Sequence, residues 1–172
     1  MIKRALLTFL LLGSANASAT AYATDAAIQK ALVKRVHTDL NHLRDLVFDT
    51  EAVGKYCGVR LQSYRRGLIT SKEVFRPLGT VPQPYSNIEY EVGSNGKWVR
   101  LTLAVDRKHC LTPGDLNIFY PMGEGVPQTC DHCAGNDFTI GFGNEDNRVW
   151  IVYSTKEAQG ECARQFMIEV RK

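Results

Sequence analysis

Beyond Ala23 this chain has no long apolar run, no low-complexity segment and no internal repeat. The first absence leaves nothing for a membrane-spanning helix, which needs about 20 consecutive apolar residues. The other two exclude disordered tracts and solenoid arrays. Excess charge is also scarce: 21 Lys and Arg stand against 18 Asp and Glu, a formal +3 that becomes +1 once Lys3 and Arg4 are set aside. That balance gives no electrostatic footprint for nucleic acid or an anionic membrane surface. Catalytic signatures are missing too. There is no Gly-x-Ser-x-Gly, no His-Glu-x-x-His and no phosphate-cradling glycine motif. The two tryptophans, Trp98 and Trp150, fit sheet positions better than sugar-stacking platforms.

The one apolar run opens the chain. Lys3 and Arg4 precede Ala5–Gly13 (ALLTFLLLG), a basic region followed by an apolar stretch too short to cross a hydrocarbon core of ~30 Å. Ala17, Ala19 and Ala23 offer small-residue cleavage sites. Ala23 is favoured because the first acidic residue lies just beyond it. Residues 1–23 are therefore expected to be a secretory signal peptide of bacterial type, and residues 24–172 a single exported domain. An uncleaved membrane anchor is the weaker alternative. The remaining 149 of 172 residues suffice for one core.

The firmest local pattern is Asn87–Val105, which reads as a β-hairpin around Asn95-Gly96. Pairing Val92 with Val99, Tyr90 with Leu101 and Ile88 with Leu103 puts three apolar pairs on one side. Glu91 then meets Arg100, Glu89 meets Thr102, and Trp98 covers the bare backbone of Gly93. A one-residue slip would expose every apolar pair, so the register is well specified. Asn-Gly suits a type I′ turn, with both central residues at positive φ.

Around the hairpin, helix patterns come first. Asp25 is the expected N-cap of a helix whose buried stripe is Ile28, Leu32, Val36, Leu40, Leu43 and Val47. His37 and His42 are five apart and read as solvated. A second helix is expected from Asp49 to a cap at Gly67, although Gly54 and Gly58 weaken it by roughly 1 kcal/mol each. Arg60, Arg65 and Arg66 on it read as a solvated basic face. Residues 68–85 are ambiguous, with Pro77, Pro82 and Pro84 favouring an irregular connection. Thr112-Pro113-Gly114-Asp115 is a strong helix start, for two turns ending at Pro121. A long Gly/Pro/Cys-rich loop follows, and then three strands, with Arg148–Thr155 apolar on both faces and hence central. The expected fold class is α+β: two N-terminal helices packed on a mostly antiparallel sheet of about five strands. One short helix is inserted after the first hairpin, and disulfides staple the domain.

Five cysteines, Cys57, Cys110, Cys130, Cys133 and Cys162, are the main chemical lead. In an oxidising compartment an odd count leaves one thiol over, and fifteen pairings are open. A Cys130–Cys133 bond would be worth roughly 2 kcal/mol and one such as Cys110–Cys162 roughly 4 kcal/mol, so at least one long-range staple is expected. Enclosure of zinc by Cys110, Cys130, Cys133 and Cys162, or by a set using His109 and His132, is a weaker reading, because only one close-spaced pair exists.

Cys130-Asp131-His132-Cys133 resembles the Cys-x-His-Cys active site of secreted thiol–disulfide oxidoreductases of the thioredoxin fold. The resemblance implies a redox pair whose first thiolate is favoured by the histidine. It covers those four residues. No helix pattern follows at Ala134-Gly135-Asn136, and the flanking βαβ context of that fold is absent.

The leading expectation is a periplasmic or secreted protein without catalysis of its own, an inhibitor or immunity-type protein that binds a partner protein. The loop Pro121–Asn136, held by cysteines, would present the surface, with Glu124, Asp131 and His132 as contacts. No cofactor, metal, nucleic-acid partner or membrane insertion of the mature chain is expected. A thiol–disulfide enzyme or redox sensor using Cys130 and Cys133, or a structural envelope component, are the alternatives.

Overall fold

The computed structural model describes residues 10–64, 72–93, 95–128, 138–157 and 160–172. It is an α+β fold built on one antiparallel sheet of eight strands. The strands are β1 (Arg60–Ser63), β2 (Lys72–Leu78), β3 (Tyr85–Gly93), β4 (Trp98–Val105), β5 (Val126–Gln128), β6 (Phe138–Gly143), β7 (Asn147–Glu157) and β8 (Gly160–Arg171). Their spatial order is β1-β2-β3-β4-β8-β7-β6-β5. Two four-stranded meanders, one from each half of the chain, thus meet where β4 pairs with β8.

The hairpin forms in the expected register, from Ile88↔Leu103 to Val92↔Val99. The indole of Trp98 lies over Gly93, where a Cβ would collide with it. The turn differs from the type I′ expectation. Gly96 alone has positive φ (65°), and its N–H donates to the Gly93 carbonyl at 2.8 Å. The Asn95 side chain instead accepts from Lys97 N at 2.9 Å. The apolar pairs set the register, and the turn closes through Gly96 and the Asn95 side chain.

One face of the sheet carries two apolar rows that cross six strands, buried at their centres and half-buried or exposed at their ends. Pro127, Ile140, Ile151, Phe166, Leu103 and Ile88 stand in one row. Phe142, Val149, Ile168, Leu101, Tyr90 and Phe75 stand in the next. Helix α1 (Leu10–Leu46) supplies Val33, Val36, Leu40 and Leu43 to the same core, with Val47 just past its end. Each such fully buried aliphatic side chain is worth roughly 1.5–3 kcal/mol. The Tyr90 hydroxyl donates to the Val47 carbonyl at 2.7 Å, which satisfies backbone at the helix end from inside the core.

Several expectations are corrected. The sheet has eight strands, not about five, because three segments read as helix, irregular connection or loop are the strands β1, β2 and β5. α1 runs unbroken through Asp25, which is not its N-cap, since the alanine-rich sequence before it contains no proline and its one glycine, Gly13, lies twelve residues upstream. Ile28 is exposed, and Val33 takes its place on the buried stripe. Helix α2 (Thr50–Tyr56) begins at the expected cap, with Asp49 accepting from Glu51 N and Ala52 N. It ends ten residues early. Gly58 turns the chain at φ 66°, and Val59 N folds back on the Gly54 carbonyl, 2.9 Å away, to start β1. Residues of the ambiguous stretch form β2. Of the basic group, Arg60 starts β1 instead of lying on a helix, and Arg65, Arg66 and Gly67 lie outside the described residues. Helix α3 (Pro113–Leu116) has the expected capping box of Thr112 and Asp115 but is one turn long, continued by tight turns to Tyr120. Within the expected loop, Met122–Glu124 form a 3-10 turn and Val126–Gln128 form β5. β7 is apolar on both faces as expected, but the central pair is β4 and β8.

Cys110 and Cys162 are joined, 52 residues apart in sequence. The bond ties the segment after β4 to the start of β8, next to the bond from Ala163 N to the Leu111 carbonyl. Closing a loop of that length restricts the unfolded chain by about 4 kcal/mol. Replacing either cysteine by Ser should lower the melting temperature by about ten degrees. An unchanged melting curve for both variants would defeat the staple role.

Candidate functional site

Three groups of polar or exposed side chains stand out, and each follows from the fold. The first is a buried node on α1. Asp39 accepts from the Tyr56 hydroxyl at 2.8 Å and the Tyr85 hydroxyl at 3.0 Å, with Arg35 at 3.8 Å one turn before it. One carboxylate so ties α1 to α2 and to β3. Cys57, the free cysteine among the described residues, sits beside it. Burial, with Asp39 adding, pushes the Cys57 thiol up to about 11. Burial and Asp39 also push Tyr56 up to about 12 and raise Tyr85 further. Every shift disfavours the reactive anion, so the node works as a structural clamp.

The second group anchors the segment that leads into the cysteine-rich loop. Gln29 on α1 donates to the Cys110 carbonyl at 2.7 Å and to Asp115 at 3.1 Å. The expectation of a solvated His37 is corrected. Its ring stacks on Phe119, with centroids 3.8 Å apart and planes within 6°, and hydrogen-bonds Asn41 at 3.0 Å and the Tyr120 hydroxyl at 3.4 Å. Burial, then Arg44, lowers its pKa. Leu116 and Tyr120 are buried beneath this stack. The segment they hold carries Ile118, 76 % exposed, Met122, 37 %, and Val126, 50 %. Glu124 is exposed between them.

The third group is the outer face of the sheet. Glu91 pairs with Lys72 and with Arg100 at 3.7 Å, and Arg100 with Glu169 at 2.9 Å. Arg76 pairs with Glu89, and Arg171 with Glu169 at 3.4 Å. A shallow trough of about 220 Å³ lies across β3, β4 and β8, floored by Thr102 and Ala104. A wider groove of about 600 Å³ runs between α2 and β1.

Of the expected site residues, the structure places Glu124 in the exposed 3-10 turn, Cys57 at the α2 end, and Cys110 and Cys162 in the disulfide. Asp131, His132, Cys130 and Cys133 lie outside the described residues. The Cys110–Cys162 bond removes both thiolates from the zinc set that included them. Among the described residues no group of three His, Cys, Asp or Glu converges on a metal position. The reading of the sequence missed Gln29, Tyr56, Tyr85, Ile118 and Met122, which act only through long-range packing. Arg148 could have been found. Trp98-Val99-Arg100 and Arg148-Val149-Trp150 each put an arginine and a tryptophan on one face of a strand.

No family model, no characterised protein and no solved structure matches the chain.

Stability should follow pH with a plateau between the ordinary His and Tyr values, 6.5 and 10.0. Tyr56, Tyr85 and Tyr120 hold their protons longer folded than unfolded, so stability falls as pH rises above 10. His37 resists protonation when folded, so stability falls as pH drops below 6.5. Urea midpoints against pH measure both limbs. The first part of the acid limb should shrink in His37→Asn, and its persistence unchanged would remove His37 as the cause. Asp39→Ala should cost about 1–3 kcal/mol by stranding the buried Tyr85 hydroxyl.

Proposed function

We propose that the chain is an exported binding protein, of the inhibitor or immunity type, that engages a partner protein through the segment Asn117–Val126. One observation carries this reading: large apolar side chains held out to solvent on a firmly anchored segment. Ile118, Met122 and Val126 are exposed, while the disulfide, the capping box, Gln29 and the His37–Phe119 stack fix the backbone beneath them. Exposed apolar groups rimmed by polar ones, here Asn117 and Glu124, mark contact surfaces. A pre-ordered segment loses little further entropy on binding. Glu124 is the polar contact proposed on this surface; Asp131 and His132, the other two expected contacts, lie outside the described residues.

Export rests on the basic and apolar segments that open the chain, and the Cys110–Cys162 bond fits an oxidising compartment. The mature protein should begin at Thr24, which intact mass of the exported material would measure.

A photo-crosslinking residue placed at Ile118, in cells that make the protein, should give one defined adduct. The same residue at Leu78, which is exposed on the opposite side of the sheet order, should give none. Ile118→Asp should then weaken the isolated pair about tenfold or more. Equal labelling from both positions, or none from Ile118, would overturn the reading.

A further inference from the structure

Both tryptophans of the chain lie on the outer sheet face, each between a glycine and an arginine. Trp98 covers Gly93, with the Arg100 guanidinium 5.8 Å from its ring. Trp150 covers Gly141, with the Arg148 guanidinium 4.9 Å away. The two arginines differ in what else they touch. Arg100 has Glu169 and Glu91. Arg148 stands opposite Glu169 in register, but Glu169 is already engaged by Arg100 and Arg171. Among the described residues no carboxylate lies within ion-pair reach of Arg148, the nearby turn residues Glu145 and Asp146 included. Its Nε is buried and has no hydrogen-bond partner there.

We infer that Arg148, on its Trp150 platform and with Arg171 close by, receives a side-chain carboxylate from an acidic segment of a partner protein. The proposal rests on the partner-binding reading above and names the chemistry that the partner presents. The guanidinium is held over an aromatic ring and is partly stripped of water, so a carboxylate meets a donor pair already oriented. Bidentate pairing with a planar carboxylate is the strongest contact such a group makes. The lattice around it is committed: Glu91 is shared by Lys72 and Arg100, and Glu169 by Arg100 and Arg171. The position agrees as well. Val126 pairs with Gly141, and Gly141 with Trp150, so the exposed end of the proposed contact segment shares an outer row with the platform. Nucleic acid is the poorer fit, because it demands a field of phosphate contacts and the chain past Arg4 carries only +1.

Intrinsic fluorescence tests this without a label. In Trp98→Phe, Trp150 is the sole tryptophan and reports from beneath Arg148. Hexaglutamate peptide should change its emission saturably. Adding Arg148→Gln should weaken that response about tenfold or more, and Arg148→Lys should fall between, because it keeps the charge and loses the fork. Lys30→Gln, on exposed α1 surface, should leave the response unchanged. Melting curves check folding, and if Arg148→Gln does not fold, full affinity in Arg148→Lys overturns the proposal. So does the absence of a saturable change, or equal competition by inorganic phosphate or a DNA duplex at matched charge. Failure here beside a defined adduct at Ile118 leaves partner binding standing and removes only the carboxylate.

Discussion

The pairing of β4 with β8 is the contact on which everything else depends. It joins strands from opposite halves of the chain, Trp98 to Arg171 at one end and Ala104 to Gln165 at the other. Without it there would be two four-stranded ribbons, neither wide enough to bury the apolar stripe of α1. With it, the two inner rows run continuous across six strands. Such distant pairing must overcome a large loop-closure entropy before it gains anything. The Cys110–Cys162 bond sits at the end of this pairing and shortens that closure. The disulfide and the central strand pair are therefore one device, in which a covalent link holds in place the least local contact of the sheet.

That sheet divides its two faces by chemistry. The inner face is aliphatic and aromatic and is closed by α1. Its polar atoms are satisfied locally, as with Tyr90 on the Val47 carbonyl and Tyr85 on Asp39. The outer face is an ionic lattice with two indoles laid flat over glycines. Surface ion pairs add little stability singly. Here they fix the long side chains in place and leave a patterned surface. Candidate chemistry therefore gathers where the fold needs it least, on the outer face and on the anchored segment after α3.

Much of the fold was legible in the sequence where neighbours decide structure. The hairpin register followed from alternating apolar pairs, the α3 start from Thr112-Pro113-Gly114-Asp115, and the need for at least one long-range staple, though not its partners, from loop-closure arithmetic. The sequence misled where a glycine changed role. Gly54 and Gly58 read as weak helix positions, yet Gly58 ends α2 and Gly54 admits the returning chain. Two strands, β1 and β5, are too short to show a period-two pattern, which is why the sheet looked smaller than it is. The Asp39 node and the His37 stack were illegible, since their partners lie on other elements. The platform arginines were visible as Arg-x-Trp and Trp-x-Arg. The vacancy at Arg148 depends on Glu169 being taken by two other side chains.

The two outermost strands have a consequence for how this molecule behaves in a crowded compartment. β1 has four residues and β5 three, and β5 carries Pro127, which has no N–H to offer another chain. Long, flat, unpaired edges invite strand-by-strand addition and aggregation, whereas short edges and proline blunt it. An eight-stranded sheet would otherwise be a hazard at high concentration. With both borders guarded, growth of the sheet by a neighbouring copy is disfavoured, and other molecules meet it across its broad surface and its anchored segment.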